Sequence, residues 1–90
     1  TRAVLEDVLA DDAEWSLRAL AAEALGRGSA GDATGALERS ARKDSFAMVR
    51  EASLRAVNTL DRVAGKRLAD ELAKSDPEPR IRSVALSLAK

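Results

Sequence analysis

An all-α fold, an α-α superhelix of about six helices, is predicted by three features of the 90-residue sequence. One segment type recurs: Asp12-Ala13-Glu14-Trp15-Ser16-Leu17-Arg18, then Asp44-Ser45-Phe46-Ala47-Met48-Val49-Arg50, then Asp76-Pro77-Glu78-Pro79-Arg80-Ile81-Arg82, each exactly as far from the last, 32 residues. A fixed period of this size marks stacked helical units, none of which can bury its apolar face alone. The stretches between these segments carry apolar residues at helical spacing. Hydrophobic residues make up 46% of the chain but aromatic ones only 2%, so the interior must be built from Ala, Leu and Val, which suits closely packed helices rather than a sheet.

Two helix types alternate. The chain opens on a short helix over residues 2–10, in which Val4, Leu5, Val8 and Leu9 form one stripe. One repeat length on, these positions become Ala36, Leu37, Ser40 and Ala41, and then Leu68, Ala69, Leu72 and Ala73. These three are second-type helices. First-type helices follow the Asp-to-Arg segments, with core faces Leu17, Leu20, Ala21, Ala24 and Leu25; Val49, Ala52, Ser53, Ala56 and Val57; and Ile81, Val84, Ala85 and Leu88. Counted from the first-type helix, this makes two full repeats plus a half repeat at each end, within one domain over residues 1–90.

Local chemistry predicts the boundaries. Asp11 and Glu14 have the spacing of a capping box, and Asp76-Pro77 places an N-cap before a first-turn proline, each cap worth about 1 kcal/mol. The run from Gly26 to Gly31 is expected to stop the first long helix in a loose turn through the left-handed conformations glycine tolerates. Its counterpart, Thr59-Leu60-Asp61-Arg62, has no glycine, predicting a tighter turn that buries Leu60. The absent initiator methionine suggests a fragment of a longer chain, and uncovered terminal helices predict end-to-end self-association.

Fifteen basic and fifteen acidic residues cancel, so no global field recruits nucleic acid or membrane. The cancellation is not local: residues 1–32 carry a net −4 and residues 33–67 a net +4. Without cysteine or histidine there is no disulfide framework and no zinc constellation of the usual kind, and no metal or cofactor is expected. No apolar run approaches the roughly twenty residues a bilayer requires, and nothing at Thr1 resembles a signal peptide; a cytoplasmic location is the expectation.

The repeated charges have a structural explanation. Arg18, Arg50 and Arg82 are expected to form a ladder with Asp12, Asp44 and Asp76, each guanidinium bonding an aspartate of its own or the adjacent copy and nearby helix-end carbonyls. The alternative is an anion site of three aligned guanidinium groups. Trp15 reads as a half-buried packing residue rather than a stacking platform for a base, and Phe46 and Met48 as core filler. Arg39, Arg42, Lys43, Lys66, Arg67 and Lys74 lie on the polar faces of the two later second-type helices, which in stacked repeats line one continuous, often concave, side. They are the candidate partner surface; interleaved Glu38, Asp70 and Glu71 also allow a plain solvated face. Asp11 with Asp12, and Asp70 with Glu71, are adjacent on helices and diverge, so no acid/base couple and no catalytic residue is expected. Gly26-Arg27-Gly28 follows a helix, not a strand, and is no phosphate loop.

An aspartate, four residues, an aliphatic, an arginine and then small residues at helical spacing resemble HEAT-like repeats, of the armadillo-like superhelix type, over essentially the whole chain. The resemblance implies a non-catalytic protein-interaction or accessory module. More narrowly, Asp12 with Trp15-Ser16-Leu17-Arg18, and Asp44 with Phe46 and Val49-Arg50, look like the HEAT-like region appended to bacterial zinc aminopeptidases of the aminopeptidase N type, with Ala13 where that family usually has proline. That resemblance implies a metallopeptidase parent whose zinc-binding residues lie elsewhere, and the partner would be its other domains or a separate protein. The alternatives are a nucleic-acid-binding HEAT module, which the charge balance disfavours, and part of a bilin lyase-like protein.

Overall fold

The computed structural model describes residues 1–28 and 33–90, and within them six helices follow one another: α1 (Arg2–Asp11), α2 (Trp15–Arg27), α3 (Thr34–Lys43), α4 (Ala47–Leu60), α5 (Arg62–Ser75) and α6 (Pro79–Leu88). No strand occurs among the described residues.

The repeated aspartates make the same turn three times. Asp12, Asp44 and Asp76 each end a second-type helix in extended backbone, at φ/ψ of −66/137, −61/139 and −68/135. Each carboxylate accepts a hydrogen bond from the backbone N–H two residues on: Glu14 at 2.8 Å, Phe46 at 2.9 Å and Glu78 at 2.9 Å. This side-chain turn stands in for a backbone turn and reverses the chain. It replaces the predicted capping arrangements. Asp11 is the last residue of α1, and the N-caps are Glu14, Phe46 and Glu78, none with a side-chain cap bond. Proline opens α6 at Pro79, not Pro77.

These turns join the helices into hairpins, α1 with α2, α3 with α4 and α5 with α6, each extensively packed, whereas α2 and α3 scarcely touch. Across the next turn α4 packs on α5 nearly as extensively, so α4 and α5 are each held by both of their chain neighbours, and the period and the six helices stand as expected. The hairpins stack with overall extents of 32 × 25 × 15 Å; the shortest matches two helix layers lying 8–10 Å apart.

Small residues set the spacing. Gly26 lies inside α2, where a Cβ would stand 2.8 Å from Ala56 Cβ on α4. Its role is to let two helices touch, not to turn the chain. Gly28 caps α2 at φ −77, and no described glycine has a positive φ; the rest of the expected loose turn, 29–31, lies outside the described residues. Between α4 and α5, Asp61 alone makes the turn and accepts from Ala64 N–H at 3.0 Å, with Leu60 half-buried against the core.

The core runs through Leu9, Ala22, Leu25, Leu37, Val49, Leu54, Val57, Leu68, Leu72 and Ala85. Burial of the equivalent first-type positions depends on place in the stack. Val49 and Ile81 are 0% exposed but Leu17 is 45% exposed, because α2 and α4 lie over the former two and no described helix lies over Leu17. Leu20 is exposed for the same reason. Full burial of such a side chain contributes roughly 1.5–3 kcal/mol, which α2 forgoes at this face.

Candidate functional site

Two features of the surface are built by more than one repeat: the arginine row along the hairpin turns, and the outer side formed by α1, α3 and α5.

In the row, Arg18 and Arg50 each bond two repeats at once. Arg50 donates through Nε and Nη2 to the two carboxylate oxygens of Asp76, at 2.8 and 3.0 Å, and through Nη1 to the backbone carbonyl of Asp44 at 2.9 Å. Arg18 repeats the pattern on Asp44, at 2.9 and 3.1 Å, and on the Asp12 carbonyl at 2.7 Å. Arg82 donates to the Asp76 carbonyl at 2.8 Å. The bidentate fork suits the planar guanidinium and would be lost with lysine. Hydrogen bonds donated to Asp76 hold the Arg50 guanidinium above its ordinary value, against the opposing effect of burial, and those donated to Asp44 do the same for Arg18. With all three guanidinium nitrogens engaged, these two arginines present no open anion site.

Phe46 is not core filler. Half exposed, it stacks on Trp15 with ring centroids 5.8 Å apart and planes at 11°, and the Arg18 guanidinium carbon lies 5.6 Å from its centroid. The Phe46 ring thus faces the Arg18 guanidinium on one side of the row, and a stacked aromatic pair is worth roughly 0.5–1.5 kcal/mol beyond buried area. Met48 is likewise exposed, not buried.

The six basic residues of the candidate partner surface separate into three groups. Arg39 and Lys43 line a cleft of about 380 Å³ between α1 and α3, whose other rim is Glu6 and Asp7 and whose floor includes Leu9 and Ala36. Arg42 is taken up: it forms a bidentate bridge from α3 to Glu71 on α5 at 2.8 and 3.0 Å, with Glu38 at 3.5 Å. That bond raises Arg42 and holds the Glu71 carboxyl below its ordinary value. Lys66, Arg67 and Lys74 are exposed on α5. On the second-type side α1 and α3 touch sparingly and open the cleft, while on the first-type side α2 and α4 pack along their length.

Two inter-repeat contacts escaped the sequence reading. Besides Arg42–Glu71, Glu51 is buried on α4 and accepts from Arg55 at 3.2 Å and from Arg80 on α6 at 3.1 Å. Their signal was arithmetic. Both cross-repeat pairs are 29 residues apart, one repeat less three residues, and the row pairs are 26 apart, one repeat less six.

Among the described residues no group of three or more acidic, histidine or cysteine side chains could hold a metal ion, and no helix is long and apolar enough to cross a membrane. A family model described as HEAT repeats matches residues 2–89. No curated protein and no solved structure matches.

Proposed function

Since the chain belongs to the HEAT-repeat family, whose members generally mediate protein interactions and are typically non-catalytic, we propose that it acts as a protein-binding module through the cleft between α1 and α3. The observation that supports this is the cleft's pair of opposed rims, Glu6 and Asp7 on one helix and Arg39 and Lys43 on the other, above an apolar floor. Such a groove favours a polypeptide segment that carries both signs of charge, acidic side chains toward α3 and basic ones toward α1, with apolar residues between. Lys66, Arg67 and Lys74 on α5 extend the basic side for a longer partner. Rim charges of this kind set partner choice and association rate more than affinity.

An accessory place beside the catalytic domain of a zinc aminopeptidase is the narrower form of this proposal. It rests on Asp12, Trp15, Arg18, Asp44, Phe46 and Arg50, all of which are spent on turns, the aromatic stack and the arginine row. That use is consistent with a module whose work is to hold shape and dock.

Selection of peptides from a displayed library on the wild-type chain tests the cleft. Enriched peptides should carry mixed charge and lose at least about tenfold in affinity for the double variant Arg39→Glu, Lys43→Glu, while keeping it for Arg62→Glu on α5. Equal binding to both variants refutes the cleft. Duplex nucleic acid bound with a steep fall in affinity as salt rises would instead support the nucleic-acid alternative.

A further inference from the structure

Both aromatic side chains of this protein lie at its surface and against each other. Trp15 and Phe46 are its one tryptophan and its one phenylalanine. They are 39% and 46% exposed and stack across the seam between the first and second hairpins. Met48, equally exposed, follows Phe46 by two residues at the start of α4. Aromatic residues and methionine are the types that protein–protein contacts concentrate.

This exposure belongs to the edge where the hairpins turn. The positions equivalent to Phe46 are Glu14 and Glu78, those equivalent to Trp15 are Ala47 and Pro79, and those equivalent to Met48 are Ser16 and Arg80. All are exposed except the half-buried Ala47. Each first-type helix thus presents its opening residues to solvent, the middle one included. Along the stack the N-cap position runs Glu14, Phe46, Glu78: carboxylate, ring, carboxylate. Among the described residues no hydrogen bond or ion pair engages either carboxylate. The guanidinium groups of the edge are bonded elsewhere, Arg18 on Asp44, Arg50 on Asp76, Arg80 on Glu51 and Arg82 on the Asp76 carbonyl. With neighbouring helices roughly 8–10 Å apart, Glu14 and Glu78 are separated by roughly 16–20 Å. That span corresponds to about five or six residues of extended peptide, at about 3.3 Å each.

We infer that the turn edge is a second docking surface, and that its occupant is an extended polypeptide segment carrying two basic residues, five or six positions apart, on either side of an apolar centre. The centre packs on Phe46, Trp15 and Met48. One basic residue bonds Glu14, beside the Trp15 ring, to which a cation is also attracted; the other bonds Glu78. The same carboxylates repel the phosphates of nucleic acid from rings on which bases would stack. None of these residues lines the cleft between α1 and α3, so the two surfaces are independent.

Because Trp15 is the only tryptophan, its fluorescence reports occupancy directly. The probes are three end-blocked synthetic peptides: Lys-Ser-Leu-Leu-Ser-Lys, the same peptide with Glu at both ends, and a rearranged one with the two lysines adjacent. The first should shift the Trp15 emission to the blue and saturate below about 1 mM, more weakly as salt rises. The Glu-ended peptide should leave the emission unchanged, and the rearranged one should bind at least about fivefold more weakly. Phe46→Ala, and separately the double variant Glu14→Lys, Glu78→Lys, should each weaken the first peptide at least about fivefold, with far-UV circular dichroism showing both chains folded. Arg39→Glu with Lys43→Glu should bind it as the wild type does. No shift up to about 1 mM, an equal response to either of the other two peptides, or undiminished binding by either edge variant overturns the inference. Loss of binding in the Arg39→Glu, Lys43→Glu chain would place the peptide in the cleft and overturn it as well.

Discussion

Removal of the Arg50 guanidinium is the sharpest test of how the repeats are held together. Arg50 and Asp76 keep only 9% and 1% of their side-chain surface, so Arg50→Ala leaves a desolvated carboxylate whose one remaining described partner is Glu78 N–H. Breaking a buried pair by deleting one partner costs about 3–5 kcal/mol. The surviving backbone bond to Asp76 argues for the lower end, about 3 kcal/mol. A chain of 90 residues has a total stability of roughly 5–13 kcal/mol, so roughly a quarter to three-fifths of it is at stake. At about 4–8 °C per kcal/mol for a domain of this size, the melting temperature should fall by roughly 12–24 °C. Arg55→Ala is the control: that guanidinium is 55% exposed and binds Glu51, which Arg80 also satisfies, so its loss should cost less than about 1 kcal/mol. Thermal melts followed by far-UV circular dichroism separate the two. In a double-mutant cycle, Asp76→Asn combined with Arg50→Ala should cost less than the sum of the single changes. Equal and negligible losses for Arg50→Ala and Arg55→Ala would refute the idea that the row fastens one hairpin to the next.

Three further outcomes follow from particular positions. Gly26→Ala places a methyl 2.8 Å from Ala56 Cβ and 3.0 Å from its Cα, so α2 and α4 must part, and denaturant unfolding should show a loss of about 1–3 kcal/mol. Gly35→Ala on α3 has nothing within 4 Å of its new Cβ and should instead stabilise by about 0.4–1 kcal/mol. The Glu71 carboxyl is held below its ordinary value of 4.5 by Arg42, so its contribution is present above the unfolded-state value and is lost as pH falls through the lower folded one. The stability gap between wild type and Glu71→Gln, at most about 1 kcal/mol for so exposed a pair, should therefore exist at neutral pH and vanish in acid.

Much of the architecture was legible because a repeat is a one-dimensional property. The 32-residue period, the helix order and the buried faces of α4 follow from residue spacing, and the same spacing brought Arg18 toward Asp44 and Arg50 toward Asp76. Capping was misjudged because Asp12, Asp44 and Asp76 can bond the N–H two or three residues on, and only the backbone angles decide which. Phe46 was assigned to the core by its chemistry alone, and its exposure follows from the turn that aims it at Trp15.

The sequence by itself determined that this chain is a stack of helical repeats and which residues recur at the seams, since periodicity, turn chemistry and apolar spacing are local. Only the tertiary structure decided that α1 and α3 stand apart, that Arg42 is tied to Glu71 while Arg39 and Lys43 face Glu6 and Asp7 across a cleft, and that Leu17 is left in water where Val49 is not. Those outcomes depend on what lies beside each helix, and equivalent positions in a repeat differ only in their neighbours.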